Sequence, residues 1–138
     1  MDTLSREERS KRMSRIKGKD TKPEMRVRRM VHALGYRYRL HRRDLPGCPD
    51  LVFPGRGKVI FVSGCFWHRH EGCHLARLPK SREEFWKTKL EKNRERDLRN
   101  QEALERDGWG VLVIWECETK QDASLSRRII AFLDGEDS

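Results

Sequence analysis

Residues 64–73 read Gly-Cys-Phe-Trp-His-Arg-His-Glu-Gly-Cys, and this stretch constrains the fold more tightly than any other. It crowds two cysteines, two histidines and two large aromatics into one short segment. Thiolates and imidazoles are the ligands that tetrahedral zinc prefers. Cys65, His70 and Cys73 are spaced Cys-x4-His-x2-Cys, and Cys117 follows an apolar run that ends at Trp115. Four such ligands close a structural site with no open position. The fourth must arrive through the fold, so spacing alone leaves the set open: His68, His74 and Cys48 are competing donors, and buried free cysteines are the plainer alternative.

The remaining bulk properties fit one soluble, intracellular domain. At 138 residues the chain is long enough for a real core. No apolar run approaches the roughly 18 residues of a membrane helix, and the polar, charged residues 1–19 do not read as a secretory signal. In such a setting clustered Cys and His mean metal more often than disulfide. The net charge of +9 is unevenly placed: residues 1–43 carry +10 and residues 44–138 carry −1. A basic arm beside a near-neutral body points to a polyanion, most simply DNA or RNA. A solvated surface helix is the alternative.

Local signals give an ordered set of elements. Ser5 to Glu8 has capping-box form and predicts a short basic helix to about Ile16. Thr21-Lys-Pro-Glu24 is a second capping box with an early proline, opening a helix that Gly35 ends. Met25, Val27, Met30, Val31 and Leu34 form its apolar face. Residues 36–40 alternate as a strand, 45–49 form a turn, 50–53 a short strand, 54–57 a hairpin turn and 59–62 a buried strand. Ser81 to Glu84 opens a long charged helix to about Arg106, stopped by Gly108. Residues 110–115 read as a central strand, with Trp109 and Trp115 in the core. Residues 123–133 close the chain as an amphipathic helix with Leu125, Ile129, Ile130 and Leu133 on one face. The expected class is α/β, a mixed sheet flanked by helices, as a single domain.

Several polar and aromatic residues stand out. Pro49-Asp50 ends a turn and opens a strand, with a second strand one hairpin later. An acidic residue at such a bend suits a Mg²⁺ ligand facing a scissile phosphate, although Pro-Asp alone marks only a turn. His68 lies between Trp67 and Arg69, where an imidazole could act as general base, zinc ligand or surface residue. Phe66 and Trp67 are adjacent, so no regular element buries both on one face. They suit a wedge between bases or packing around a metal, and Trp86 is ambiguous in the same way. On residue type alone, Glu24 and Asp97 read as structural.

These residues together resemble the very-short-patch-repair (Vsr) endonuclease family. The likeness runs from Arg9-Ser-Lys-Arg-Met13 through Asp20-Thr21, Glu24, Leu45-Pro-Gly-Cys-Pro-Asp50 and Val59-Ile-Phe61. It continues through Gly64-Cys-Phe-Trp-His68, Glu84-Phe-Trp86, Lys92 to Asp97, Gly108-Trp109 and Trp115-Glu-Cys117. The resemblance implies a restriction-endonuclease-like fold with structural zinc, and Mg²⁺-dependent nicking on the 5′ side of the thymine in T:G mismatches. It implies Asp50 as Mg²⁺ ligand together with the carbonyl of Val62, and His68 as water-activating base. Glu24 and Asp97 would assist the metal-bound water or orient other groups. Cys65, His70, Cys73 and Cys117 would hold zinc. Phe66, Trp67 and Trp86 would intercalate beside the mismatch, while Met13 and Ile16, on the basic arm 1–19, would reach the other groove.

One position departs from that pattern. Ser63 stands where the family usually carries His or Asp supporting the active site, and a serine supplies neither the charge nor the imidazole. The resemblance further implies a monomer acting on double-stranded DNA in the bacterial cytoplasm, on the nucleoid, with mismatch-repair factors as candidate partners. Two other readings fit the same residues: a restriction- or homing-type nuclease of this fold, and a zinc-containing DNA-binding module that does not cleave.

Overall fold

A computed structural model describes residues 21–68, 70, 73, 78 and 80–135. The expected helix to Ile16, with Met13 and Ile16, lies outside the described residues, as does His74. The described chain runs α1 (Lys22–Ala33), β1 (Arg39–Leu40), β2 (Leu51–Phe53), β3 (Lys58–Ser63), α2 (Glu83–Arg106), β4 (Gly110–Trp115) and α3 (Asp122–Asp134). Short 3-10 turns at Pro54–Arg56 and Glu116–Glu118 follow β2 and β4.

The four strands form one mixed sheet in the order β1-β2-β3-β4. The pairs β1/β2 and β2/β3 are antiparallel. The β2–β3 hairpin closes through Gly57, whose φ of 65° suits a residue without Cβ. β3 and β4 are parallel, as the crossover through α2 requires. Val27 and Val31 of α1 pack with Leu125, Ile129 and Leu133 of α3 against Leu51, Phe53, Ile60 and Ile114 of the sheet. On the opposite face Val52 and Val59 meet Leu104 of α2, with Leu45, Phe61, Trp109 and Val111 alongside. The period-2 alternation of a strand sends Leu51 and Phe53 to one layer and Val52 to the other. The result is a mixed α/β fold with helices on both faces of the sheet.

Four local expectations need correction. The strand expected over 36–40 contracts to Arg39–Leu40, because its partner β2 is itself only three residues long and pairs with those two positions. The long helix starts at Glu83, not at a Ser81 cap: Arg82 occupies the cap position in left-handed conformation, φ 58°, with its guanidinium 4.3 Å from the centre of the Phe85 ring. Ile130 is 40% exposed, since the buried stripe of α3 follows Leu125, Ile129 and Leu133. Trp109 and Trp115 are both half-buried: Trp109 packs against the core, whereas Trp115 stacks on His70, with ring centres 4.2 Å apart and planes 5° from parallel.

Candidate active site and metal centre

The parallel pair β3/β4 organises two neighbouring centres at its carboxyl end, the usual place for ligand sites in sheets of this kind. Its register sets Ser63 opposite Trp115. Cys65 and Cys117 each lie two residues beyond that pair, so the register brings loops distant in sequence side by side. The Cys65 amide donates to Glu116 Oε1 at 3.2 Å and ties the loops together.

Cys65, His70, Cys73 and Cys117 offer ligand atoms that all lie within 4.8 Å of one another. His70 Nδ1 is 3.5 Å from both Cys65 Sγ and Cys117 Sγ. One ring nitrogen has a single donor or acceptor site and cannot satisfy two thiols. A shared cation can: tetrahedral geometry with metal–S near 2.3 Å and metal–N near 2.0 Å separates S from N by about 3.5 Å. Burial pushes the Cys65 thiol up to about 12, with the neighbouring sulfurs adding to the rise. A cation among the sulfurs would reverse that penalty, because thiolate is the ligating form. The donor set therefore fits a closed, four-ligand metal site, and Trp115 packs flat against its imidazole.

The second centre lines a cavity of about 1070 Å³. Glu24, Asp50, Val62, Ser63, His68 and Asp97 all reach its wall, as do Trp67 and His41. The expected site residues thus come from α1, the β1–β2 turn, β3, the loop after β3 and α2, gathered by the tertiary fold.

Each side chain has a local reason for its place. Thr21 caps α1, its hydroxyl accepting from the Glu24 amide at 3.3 Å. The capping-box glutamate itself is turned inward and is 1% exposed. Asp50 Oδ2 accepts from the Val62 amide at 2.7 Å, so the start of β2 is latched to the end of β3. Burial drives the Asp50 carboxyl up to about 7; the Val62 hydrogen bond opposes this and nearby Glu24 adds to it. Two carboxyls that penalise each other's charge suit a shared cation, and oxygen donors are what Mg²⁺ selects. His68 Nδ1 lies 2.5 Å from Asp97 Oδ2 of α2. A carboxylate that accepts the Nδ1 proton leaves Nε2 as the basic nitrogen. Ser63, 7% exposed, ends β3 on the same wall.

The aromatics form a nest: Phe66, Trp67 and Trp86 meet edge to face with ring centres 5.0–6.0 Å apart. Trp67 is 8% exposed, whereas Phe66 and Trp86 are half-buried. The Asn93 amide of α2 donates to the Trp67 carbonyl at 3.3 Å and pins the loop.

Sequence reasoning passed over His41 and Glu116. His41 follows an expected strand and offered no spacing signal; Glu116 is placed by the parallel register, which local pattern does not reveal. Among the described residues, no helix is long and apolar enough to cross a membrane.

Comparison with known proteins accords with this geometry. Residues 1–74 match the family model described as DNA mismatch endonuclease Vsr. A type II nicking enzyme, V.XorIIP, of Xanthomonas oryzae pv. oryzae is 50% identical over 133 residues, covering 96% of this chain and 97% of the relative. The type II nicking enzyme V.NmeAIP of Neisseria meningitidis is 41% identical over 93% of this chain and 91% of its own length. The DNA mismatch endonuclease Vsr of Escherichia coli K12 is 39% identical over 98% of this chain and 89% of its own length. The cavity with its paired carboxyls and His–Asp pair, beside a Cys/His cluster able to hold a metal, agrees with what these relatives show: the chain belongs to the Vsr DNA mismatch endonuclease family.

Proposed function

We propose that this chain nicks double-stranded DNA on the 5′ side of the mispaired thymine in T:G mismatches, with Mg²⁺ at the cavity and zinc at the Cys/His centre. The observation that carries this reading is the convergence of Asp50, Glu24, His68 and Asp97 on one cavity. Asp50 and the Val62 carbonyl would hold the Mg²⁺, and Glu24 would orient its hydration shell. When bound, the ion polarises the scissile phosphate and lowers the pKa of its water. His68, held by Asp97, accepts the proton of the attacking water at Nε2. Ser63 occupies the wall where a charged or imidazole group would assist departure of the leaving oxygen, which makes the reaction slow in this chain.

Cys65, His70, Cys73 and Cys117 would close the zinc site and knit the carboxyl ends of β3 and β4. The helix–sheet–helix arrangement supports a restriction-endonuclease-like fold over a single domain, 1–138. Phe66, Trp67 and Trp86 would stack on bases beside the mismatch. Met13 and Ile16 on the basic arm 1–19 would enter the other groove. The protein would act as a monomer on nucleoid DNA in the cytoplasm, alongside mismatch-repair factors.

The test is strand nicking with purified chain and Mg²⁺, comparing a T:G duplex with its fully paired counterpart. Nicking confined to the T:G strand 5′ of thymine supports the reading. Cleavage of paired duplex at a fixed sequence would favour a restriction-type enzyme, and tight T:G binding without cleavage a binding module.

A further inference from the structure

His41 carries none of the roles assigned above. It follows β1, and its amide donates to the Asp50 carbonyl at 3.2 Å. Its backbone is left-handed, with φ 47°. A non-glycine residue keeps such a conformation where its surroundings over-determine it, and these positions cluster at functional sites. The conformation is accompanied by a definite side-chain placement. His41 Nε2 lies 2.8 Å from Glu24 Oε2 and 4.0 Å from Asp50 Oδ1, and the imidazole is only 15% exposed.

Glu24 and Asp50 belong to different elements, α1 and the turn before β2. Both sit on the cavity wall, and the Glu24 side chain is 2% exposed. Two carboxylates brought together away from water repel unless donors hold them. Arg28 approaches Glu24 at 3.5 Å from the next turn of α1, but only an element outside that helix can set Glu24 against Asp50. His41 meets that need twice, through its amide to the Asp50 carbonyl and its ring to Glu24. Ligand atoms of Glu24, His41 and Asp50 lie within 4.8 Å of one another.

We propose that His41 is a positioning residue of the cleavage centre: its imidazole N–H clamps Glu24 against Asp50, so that the two carboxylates face one divalent cation. The inference rests on the reading of Asp50 as the cation-holding residue. Groups that orient ligands in this way typically change metal affinity or activity by about 10–100-fold when removed.

The experiment compares His41→Gly, His41→Asn and His41→Gln in the full chain. Glycine accepts the left-handed backbone while deleting the ring. Asparagine also tolerates that backbone, but its amide stops short of Glu24. Glutamine carries an N–H donor about as far as Nε2. Mg²⁺ binding is read by calorimetry on the DNA-free protein, nicking of a T:G duplex is read across a Mg²⁺ titration, and melting temperature and duplex affinity without Mg²⁺ serve as controls. The Gly and Asn variants should bind Mg²⁺ about 10–100-fold more weakly and need correspondingly more of it to nick, with both controls unchanged. The Gln variant should recover most of the loss. Asp50→Ala separates the two levels. If it binds Mg²⁺ as the parent does, the reading of Asp50 fails and the His41 role fails with it. If Asp50→Ala abolishes Mg²⁺ binding while His41→Gly matches the parent, the His41 role alone is overturned. A Gln variant as impaired as Gly, or a Gly loss that tracks a lowered melting temperature, overturns it as well.

Discussion

His68 Nδ1 and Asp97 Oδ2 are 2.5 Å apart, joining the loop after β3 to the middle of α2. The contact fixes which ring nitrogen can take a proton, and it does so from an element that contributes nothing else ionisable to the His68 ring among the contacts described. Asp97→Asn keeps the size but offers an amide that can pair with the wrong tautomer. Single-turnover nicking should fall by about 10²–10⁴-fold, the range for general-base catalysis, with T:G duplex affinity unchanged. An Asn variant that nicks at the parental rate would remove His68 from the role of base.

Much of this was legible in the sequence. The long polar helix before Gly108, the hairpin around Gly57 and the apolar run 110–115 each carry their own local signal. The candidate metal ligands were legible by type, but their convergence was not: it follows from the parallel register of Ser63 with Trp115, a contact between distant segments. Trp115 read as core because its hydrophobicity is local, whereas its stacking partner His70 is not. Arg82 at the cap of α2 displaced a serine signal through an aromatic contact that no capping rule contains. His41 was illegible for a similar reason: a left-handed histidine pays off only through Glu24 and Asp50, which the fold brings to it.

The Cys/His centre should be structural. Four protein ligands leave no place for a reactive water. Cys117→Ser should reduce bound zinc well below stoichiometric and lower the melting temperature, with far-UV and near-UV circular dichroism losing amplitude together. Chelation of zinc from the parent should reproduce the effect. Unchanged zinc content and melting temperature in Cys117→Ser would show that this residue is not a ligand.

The aromatic nest separates into two kinds of residue. Trp67, 8% exposed, should act on stability as well as on bases, and Trp67→Ala should cost about 3–5 kcal/mol of folding free energy as a large-to-small core change. Phe66 is half-buried at the same nest and should act on DNA. Phe66→Ala should weaken T:G binding by about 1–3 kcal/mol, the range for base–aromatic stacking, with a smaller change in stability. Denaturant unfolding and duplex titration on both variants check the split, and identical profiles for the two would contradict it.

Far from the cavity, Tyr36 donates to Asp134 Oδ2 at 2.5 Å, and Arg56 pairs with Asp134 Oδ1 at 2.7 Å. The Tyr36 hydrogen bond, with Arg56, holds the Asp134 carboxyl below its ordinary 3.8. That contribution is present above 3.8 and is lost as pH falls through the depressed folded value. Burial, then Asp134, raises the Tyr36 phenol above its ordinary 10.0, so its contribution is present below 10 and is lost as pH rises through the elevated value. Melting curves of the parent and Tyr36→Phe should therefore differ by a constant, small amount between these limits and converge in stronger acid and stronger alkali. A difference that changes across neutral pH would place the effect elsewhere.

Ser63 should set the rate without setting the affinity. It ends β3 opposite Trp115, is 7% exposed, and shares the cavity wall with Asp50 and His68. A hydroxyl there brings no full charge to a metal and no ready proton to a leaving oxygen. The basic arm 1–19 and the aromatics Phe66, Trp67 and Trp86 lie elsewhere in the sequence, so duplex binding should survive the serine at this position. The parent should bind T:G duplex tightly and nick it slowly. Ser63→His and Ser63→Asp should each raise the single-turnover rate, by up to the 10²–10⁴-fold associated with a placed proton-transfer group. A cavity of about 1070 Å³ leaves room for either side chain, so the melting temperature should change little. Rapid nicking by the parent, with no gain from either substitution at saturating Mg²⁺, would show that the wall at Ser63 is dispensable and that His68 and Asp50 complete the reaction between them.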